Sequence, residues 1–163
     1  MAGFIKFDGV DGECQDKDHK NWSPILTFSQ GLHKPGGSAT GSTRRRGDVI
    51  LDDLGISKEL DKSSPKLAEA VTQGKVFPKV EIHVTASYDQ SGAGRVTYYA
   101  YELKNVQVTS YRVGGMVQTD GSQITEELSL NFEAIKVTYT EYDSKGARKG
   151  NIEYSWKVEE GEA

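Results

Sequence analysis

Residues 126–142 read Glu-Glu-Leu-Ser-Leu-Asn-Phe-Glu-Ala-Ile-Lys-Val-Thr-Tyr-Thr-Glu-Tyr. From Leu128 to Ala134 the apolar residues fall on even numbers, the period of two that a half-buried strand requires. The phase then inverts: Ile135, Val137 and Tyr139 are apolar, while Lys136, Thr138 and Thr140 are polar. A one-residue slip sends every side chain of a strand to the opposite face, so an unbroken strand cannot keep one face buried through this stretch. The pattern predicts a β-bulge or a sharp bend between Glu133 and Lys136. A long strand bent in mid-course suits a sheet that curls into a barrel.

The rest of the chain is read around that strand. Its 163 residues are enough for one domain with a substantial core, expected to span 1–163. Gly3–Phe7 and residues 25–30 read as strands, the second with Leu26 and Phe28 on one face and Thr27 and Ser29 on the other. An irregular Gly- and Ser-rich stretch, 33–47, carries Arg44, Arg45 and Arg46, and residues 48–60 read as extended chain interrupted near Asp52 and Asp53. One short helix is expected over about 65–73, with Ser64 as N-cap, Pro65 in the first turn and Gly74 as the stop. Leu67, Ala70 and Val71 give it a single apolar face. Strands are expected at 79–87, 95–103, 105–113 and 152–158, so the fold class is mainly β, a barrel or sandwich with one short helix. In 95–103, Val96, Tyr98 and Ala100 alternate with Tyr99, Tyr101 and Leu103, so both faces look fit for burial. Either the helix covers the second face, or another subunit meets it, since tyrosine is favoured at interfaces.

Catalytic and ligand-binding classes find little support. His19, His33 and His83 have no metal-ligand spacing, and Cys14 stands alone, which excludes an intramolecular disulfide and a cysteine zinc cluster. The acidic run Asp8, Asp11, Glu13, Asp16 and Asp18 fails the calcium-loop pattern, because Lys20 and Asn21 stand where an oxygen ligand and a glycine are needed. Gly92-Ala93-Gly94 lacks the third glycine of a dinucleotide fingerprint and precedes a strand. The balance of 20 basic against 24 acidic side chains argues against a dedicated nucleic-acid binder. The triplet Arg44–Arg46 has no aromatic residue nearby for base stacking; it reads as a solvated loop tip or as a contact with an acidic surface. No stretch reaches the length of a membrane span. The amino terminus has no basic segment followed by an apolar run, so no cleaved signal peptide is expected.

Taken together and in order, the fragments resemble one family. They are Phe4-Ile5-Lys6-Phe7, residues 9–13 (Gly-Val-Asp-Gly-Glu) with Asp16 and His19, residues 25–29 with Gly31, residues 61–67 (Asp-Lys-Ser-Ser-Pro-Lys-Leu) with Gly74-Lys75, residues 101–106 (Tyr-Glu-Leu-Lys-Asn-Val) with Ser110, residues 127–132, and Ser155-Trp156. The chain resembles the haemolysin-coregulated protein (Hcp) family, the tube subunit of type VI secretion systems. It departs from the usual pattern at Gln30 and Cys14. The resemblance implies a β-barrel of two sheets with a helix at its side, similar to phage tail-tube proteins. It further implies a non-enzymatic subunit without cofactors that forms homohexameric rings. The rings stack into a tube inside a contractile sheath, carry a spike protein at the tip and hold effector proteins in the lumen. Such a protein is made in the bacterial cytoplasm and secreted outside or into target cells, with neither nucleic-acid binding nor membrane insertion. On this reading Arg44, Arg45 and Arg46 lie at the ring-to-ring contact, Tyr98, Tyr99 and Tyr101 at the subunit interface, and Thr27 and Ser29 on the lumen wall. The competing reading is a monomeric β-barrel module that binds carbohydrate or nucleic acid without catalysis.

Overall fold

The computed structural model describes residues 1–34, 49–88, 94–118, 121 and 123–158. Among the described residues there are eleven strands and one helix: β1 (Ala2–Phe7), β2 (Ser23–Ile25), β3 (Thr27–Ser29), β4 (Leu32–His33), β5 (Ile50–Leu51), β6 (Leu54–Glu59), α1 (Ser64–Gln73), β7 (Val76–Ser87), β8 (Arg95–Gly114), β9 (Thr125–Asn131), β10 (Ala134–Tyr142) and β11 (Arg148–Lys157). β4 and β5 form a small two-stranded sheet, and the other strands form one nine-stranded sheet.

The large sheet closes on itself. Its main path runs β2–β1–β7–β8–β9–β6–β3, all antiparallel. The two ends of that path, β2 and β3, are one segment joined through Leu26, whose N–H donates to the Ser57 carbonyl at 2.8 Å. Residues 23–29 therefore pair with β1 at one end and with β6 at the other, which closes the main path and leaves its two ends without a free edge. Leu26 sits at this switch and is 53 % exposed, against the expected apolar face; Ile25 points inward in its place. Inside the barrel pack Ile5, Phe7, Leu54, Val80, Leu103 and Leu130, all nearly sealed from solvent.

The phase inversion in 126–142 is a bend, not a bulge. β9 stops at Asn131 and β10 starts at Ala134, yet both keep the same register on β8: Gln107 faces Asn131 and Lys104 faces Ala134. No residue is inserted, so the partner must bend too. It does so at Asn105, a non-glycine residue at φ +50°, whose side chain donates to Glu133 Oε2 at 2.6 Å. The Glu133 N–H donates to the Lys104 carbonyl at 3.0 Å. In β8 the buried residues accordingly switch from Tyr101 and Leu103 to Val106 and Val108. The segments expected as two strands, 95–103 and 105–113, are thus one twenty-residue strand kinked at Asn105. A true bulge lies further on, at Thr109.

The helix begins one residue earlier than expected, with Ser63 as the N-cap. Asp61 organises the preceding turn by accepting the Ser63 N–H at 2.9 Å, and the Ser64 hydroxyl accepts the Asp61 N–H at 3.0 Å. Ser64 is already the first residue of the helix and so does not cap it, and Ser63 makes no side-chain cap bond. Gly74 stops the helix at φ +63°, the left-handed conformation that glycine adopts without cost, and the next amide, Lys75, donates to the Ala70 carbonyl. Leu67 and Ala70 are buried and Val71 packs at the margin of the core.

Candidate interaction surfaces

The bend divides β8 between two environments. Beyond Asn105 it pairs with β9 inside the barrel; before Asn105 it pairs with β7 on one side and β10 on the other. β10 in turn carries β11, and among the described residues β11 pairs only with β10. The sheet thus continues outward as a shelf. Cross-strand partners share a face, so Leu103, Tyr101 and Tyr99 of β8 align with Ile135, Val137 and Tyr139 of β10, and these with Trp156, Tyr154 and Ile152 of β11. Burial fades along this face. Ile135 is 1 % exposed, Tyr139 45 %, Tyr154 43 % and Ile152 76 %. An apolar face that starts in the core ends uncovered.

This placement sorts the three tyrosines named from the sequence. Tyr101 is buried, its ring edge-on to Phe28 and its hydroxyl 3.3 Å from that of Tyr99. Burial first, then the Tyr99 contact, pushes the Tyr101 phenol well above its usual range, so it stays neutral. Tyr99 packs at the rim of the core. Tyr98 is the extra residue where the β7–β8 register shifts; it is half-buried, its ring meeting that of Tyr139 edge-on at 6.3 Å and its hydroxyl donating to Met1 Sδ at 3.4 Å. The outward end of the tyrosine face is carried by Tyr139, Tyr154 and Ile152, which alternation in 135–139 and 152–158 already marked as apolar.

Thr27 and Ser29 are exposed on the outside of the barrel wall. With Gly55, Ser57, Ser110 and Ser129 they floor a shallow groove of about 530 Å³, with Arg112 and Glu127 also on its wall. The hydroxyls of Thr27 and Ser57 bond to each other at 2.6 Å. Arg44, Arg45 and Arg46 lie outside the described residues.

Two clusters escaped sequence reasoning. In the first, Lys58 of β6 and Glu126 of β9 face each other across the ladder, both fully buried and in direct ionic contact. Lys58 Nζ also contacts Asp61 Oδ1 at 2.9 Å, Ser64 donates to Glu126 Oε1 at 3.0 Å, and the Tyr111 hydroxyl donates to Glu126 Oε2. Burial, then that bond, pushes Tyr111 up to about 12. Burial acts to raise the Asp61 carboxyl, but hydrogen bonds from Ser63, Lys58 and Ser23 outweigh it and hold Asp61 below its ordinary value. A signal was present: Lys58 continues the phase of Leu54 and Ile56, and Glu126 that of Leu128 and Leu130. The second cluster joins His19 to His83, 64 positions apart, with no motif to announce it.

Comparison with known proteins settles the class. Residues 4–139 match the family model described as type VI secretion system effector, Hcp. The chain belongs to the Hcp family. It is 32 % identical over 156 residues to the protein hcp1 of Pseudomonas aeruginosa, covering 95 % of this chain and 93 % of that relative. A solved type six secretion system protein superposes with a TM-score of 0.88 at 27 % identity, covering 99 % and 98 % of the two chains. Hcp1 of Salmonella typhimurium shares the fold, with a TM-score of 0.77 at 21 % identity over 98 % and 95 %. This Hcp chain is therefore a type VI secretion tube protein of a secreted, structural family. No helix among the described residues is long and apolar enough to cross a membrane.

Proposed function

We propose that this Hcp chain closes into homohexameric rings that stack as the expelled inner tube of a type VI secretion system. The ring sits within the contractile sheath, below the spike protein, and carries effector proteins in its lumen. The observation that supports self-association is the uncovered apolar shelf. Tyr139, Tyr154 and Ile152 continue the core face outward, and β11 leaves a strand edge without a partner among the described residues. A ring needs a heterologous contact, in which one surface of a subunit meets a different surface of the next. The shelf, with Tyr98 and Tyr99 beside it and Tyr101 beneath, supplies one side of that contact. Thr27 and Ser29, small and hydroxyl-bearing on an exposed wall, suit a lumen that must let cargo slide. Arg44, Arg45 and Arg46 face the adjoining ring; each such exposed pair contributes about 1 kcal/mol or less, repeated in every copy.

The test is the mass of the purified chain by light scattering across a concentration series. Six copies of 17.9 kDa come to about 107 kDa, and a closed ring holds that mass over a wide range. A steady monomer mass at every concentration refutes the ring and brings the monomeric binding module forward.

A further inference from the structure

Residues 8–22 cross the outside of β1 and β7 as a strap. It is stitched to itself by backbone bonds: Gly12 N–H to the Asn21 carbonyl at 2.7 Å, Cys14 N–H to the Trp22 carbonyl at 2.9 Å, and Asn21 N–H to the Cys14 carbonyl at 2.9 Å. Underneath lie Phe4 and His83, which face each other across the β1–β7 ladder. His19 of the strap is the pin. Only 4 % exposed, it stacks on Phe4 with ring centroids 4.3 Å apart and meets Trp22 edge-on at 5.0 Å. Its Nδ1 is 3.0 Å from Asp16 Oδ1, and its Nε2 is 3.1 Å from His83 Nδ1.

The proton count on this chain of atoms is constrained. Ionised Asp16 accepts from His19 Nδ1–H, so His19 Nε2 carries a lone pair and His83 Nδ1 must be the donor between the rings. One further proton can be taken on His83 Nε2, which points outward 3.6 Å from Glu81 Oε2, without touching the bond between the rings. A second cannot. It would have to go onto His19 Nε2, placing two N–H groups head to head and two cations in contact inside a buried stack.

We propose that the His19–His83 pair is a latch that holds the strap while the pair carries at most one extra proton and releases it when both rings are charged. The surrounding charges do not cancel this. Glu81 favours a proton on His83, but Lys79 Nζ, 2.5 Å from Glu81 Oε1, already neutralises that carboxylate. Lys6 of β1 is engaged with Asp11 at 2.6 Å, and Glu102 and Lys136, from β8 and β10, border the same small hollow as His83. Asp18 is exposed and only lends its backbone N–H to Asp16. Burial holds His83 below its ordinary value of 6.5, and a charge arriving on His19 would lower it further. The folded chain then binds fewer protons than the unfolded one, so the latch is intact above that value and weakens as pH falls below it. Release frees residues 11–22 and exposes Phe4 and Cys14; β1 stays in the barrel, held by its ladders to β2 and β7.

The test is amide hydrogen exchange, read as protection factors corrected for intrinsic rate, between about pH 7.5 and about pH 4.5. The amides of Gly12, Cys14 and Asn21 are expected to lose at least about tenfold protection at the acid end while those of β8 hold theirs. The variant His83→Gln retains an amide donor toward His19 Nε2 without a titrating ring, and its strap is expected to stay protected through the same range. A Trp156→Phe background leaves Trp22 as the sole tryptophan, whose emission gives an independent reading of strap release in otherwise wild-type protein. Unchanged strap protection relative to β8, with Trp22 emission flat across the range, overturns the latch. So does equal acid sensitivity in wild type and His83→Gln.

Discussion

The ladders β6–β9 and β10–β11 are both antiparallel pairs with three successive rungs on the face that starts in the core. In the first the rungs are Leu54–Leu130, Ile56–Leu128 and Lys58–Glu126; in the second they are Ile135–Trp156, Val137–Tyr154 and Tyr139–Ile152. The third rungs reverse the usual expectation. Lys58 and Glu126 are both 0 % exposed, whereas Tyr139 is 45 % and Ile152 76 % exposed. Polarity along a strand sets which face a residue takes; what lies opposite that face sets whether it is buried. The first ladder is part of a closed wall with a core behind it. The second runs past the end of that wall. The closed ladder therefore carries folding, and the open one is free to carry assembly.

The largest expected effect comes from breaking the buried ionic rung. Glu126→Leu leaves the Lys58 amine with only Asp61 for charge, and removal of one partner of such a pair costs about 3–5 kcal/mol. A denaturant titration should show that loss, and Lys58→Met together with Glu126→Leu should recover most of it. Next comes the apolar rung. Leu130→Ala is expected to cost about 2–5 kcal/mol by the same titration, because its site is fully packed.

The bend that separates the two regions gives a smaller and more diagnostic effect. Asn105→Val forces a β-branched residue into a positive φ and should cost about 1–3 kcal/mol, while Asn105→Gly should stay within about 1 kcal/mol of wild type. The smallest effect is expected on the shelf. Ile152→Ala should change the unfolding free energy by no more than about 0.5 kcal/mol when measured at concentrations that dissociate any assembly. A large loss there would mean that the shelf supports the fold itself.

Much of this division was legible in the sequence. The inversion at 133–136 announced the bend, Pro65 and Gly74 bracketed the helix, and the alternating apolar residues of 152–158 marked the last strand. What was not legible depends on closure. Alternation in 25–30 placed Leu26 inward, but that residue sits where one strand passes from β1 to β6, and the pattern carries no mark of the switch. Lys58 and Glu126 kept the phase of their apolar neighbours, yet only the register that sets them face to face makes their burial tolerable. His19 and His83 meet through the fold of the strap, which neither periodicity nor motif spacing encodes.

The division between a folding ladder and an assembling one is tested most directly by the mass of Ile152→Glu/Tyr154→Glu set beside wild type at equal concentration. The account predicts about 107 kDa for wild type, as for six 17.9 kDa chains, and monomer mass for the variant, with the denaturant midpoint of the monomer preserved. A variant that keeps the ring mass contradicts it, since two buried carboxylates cannot sit unpaired in a subunit contact.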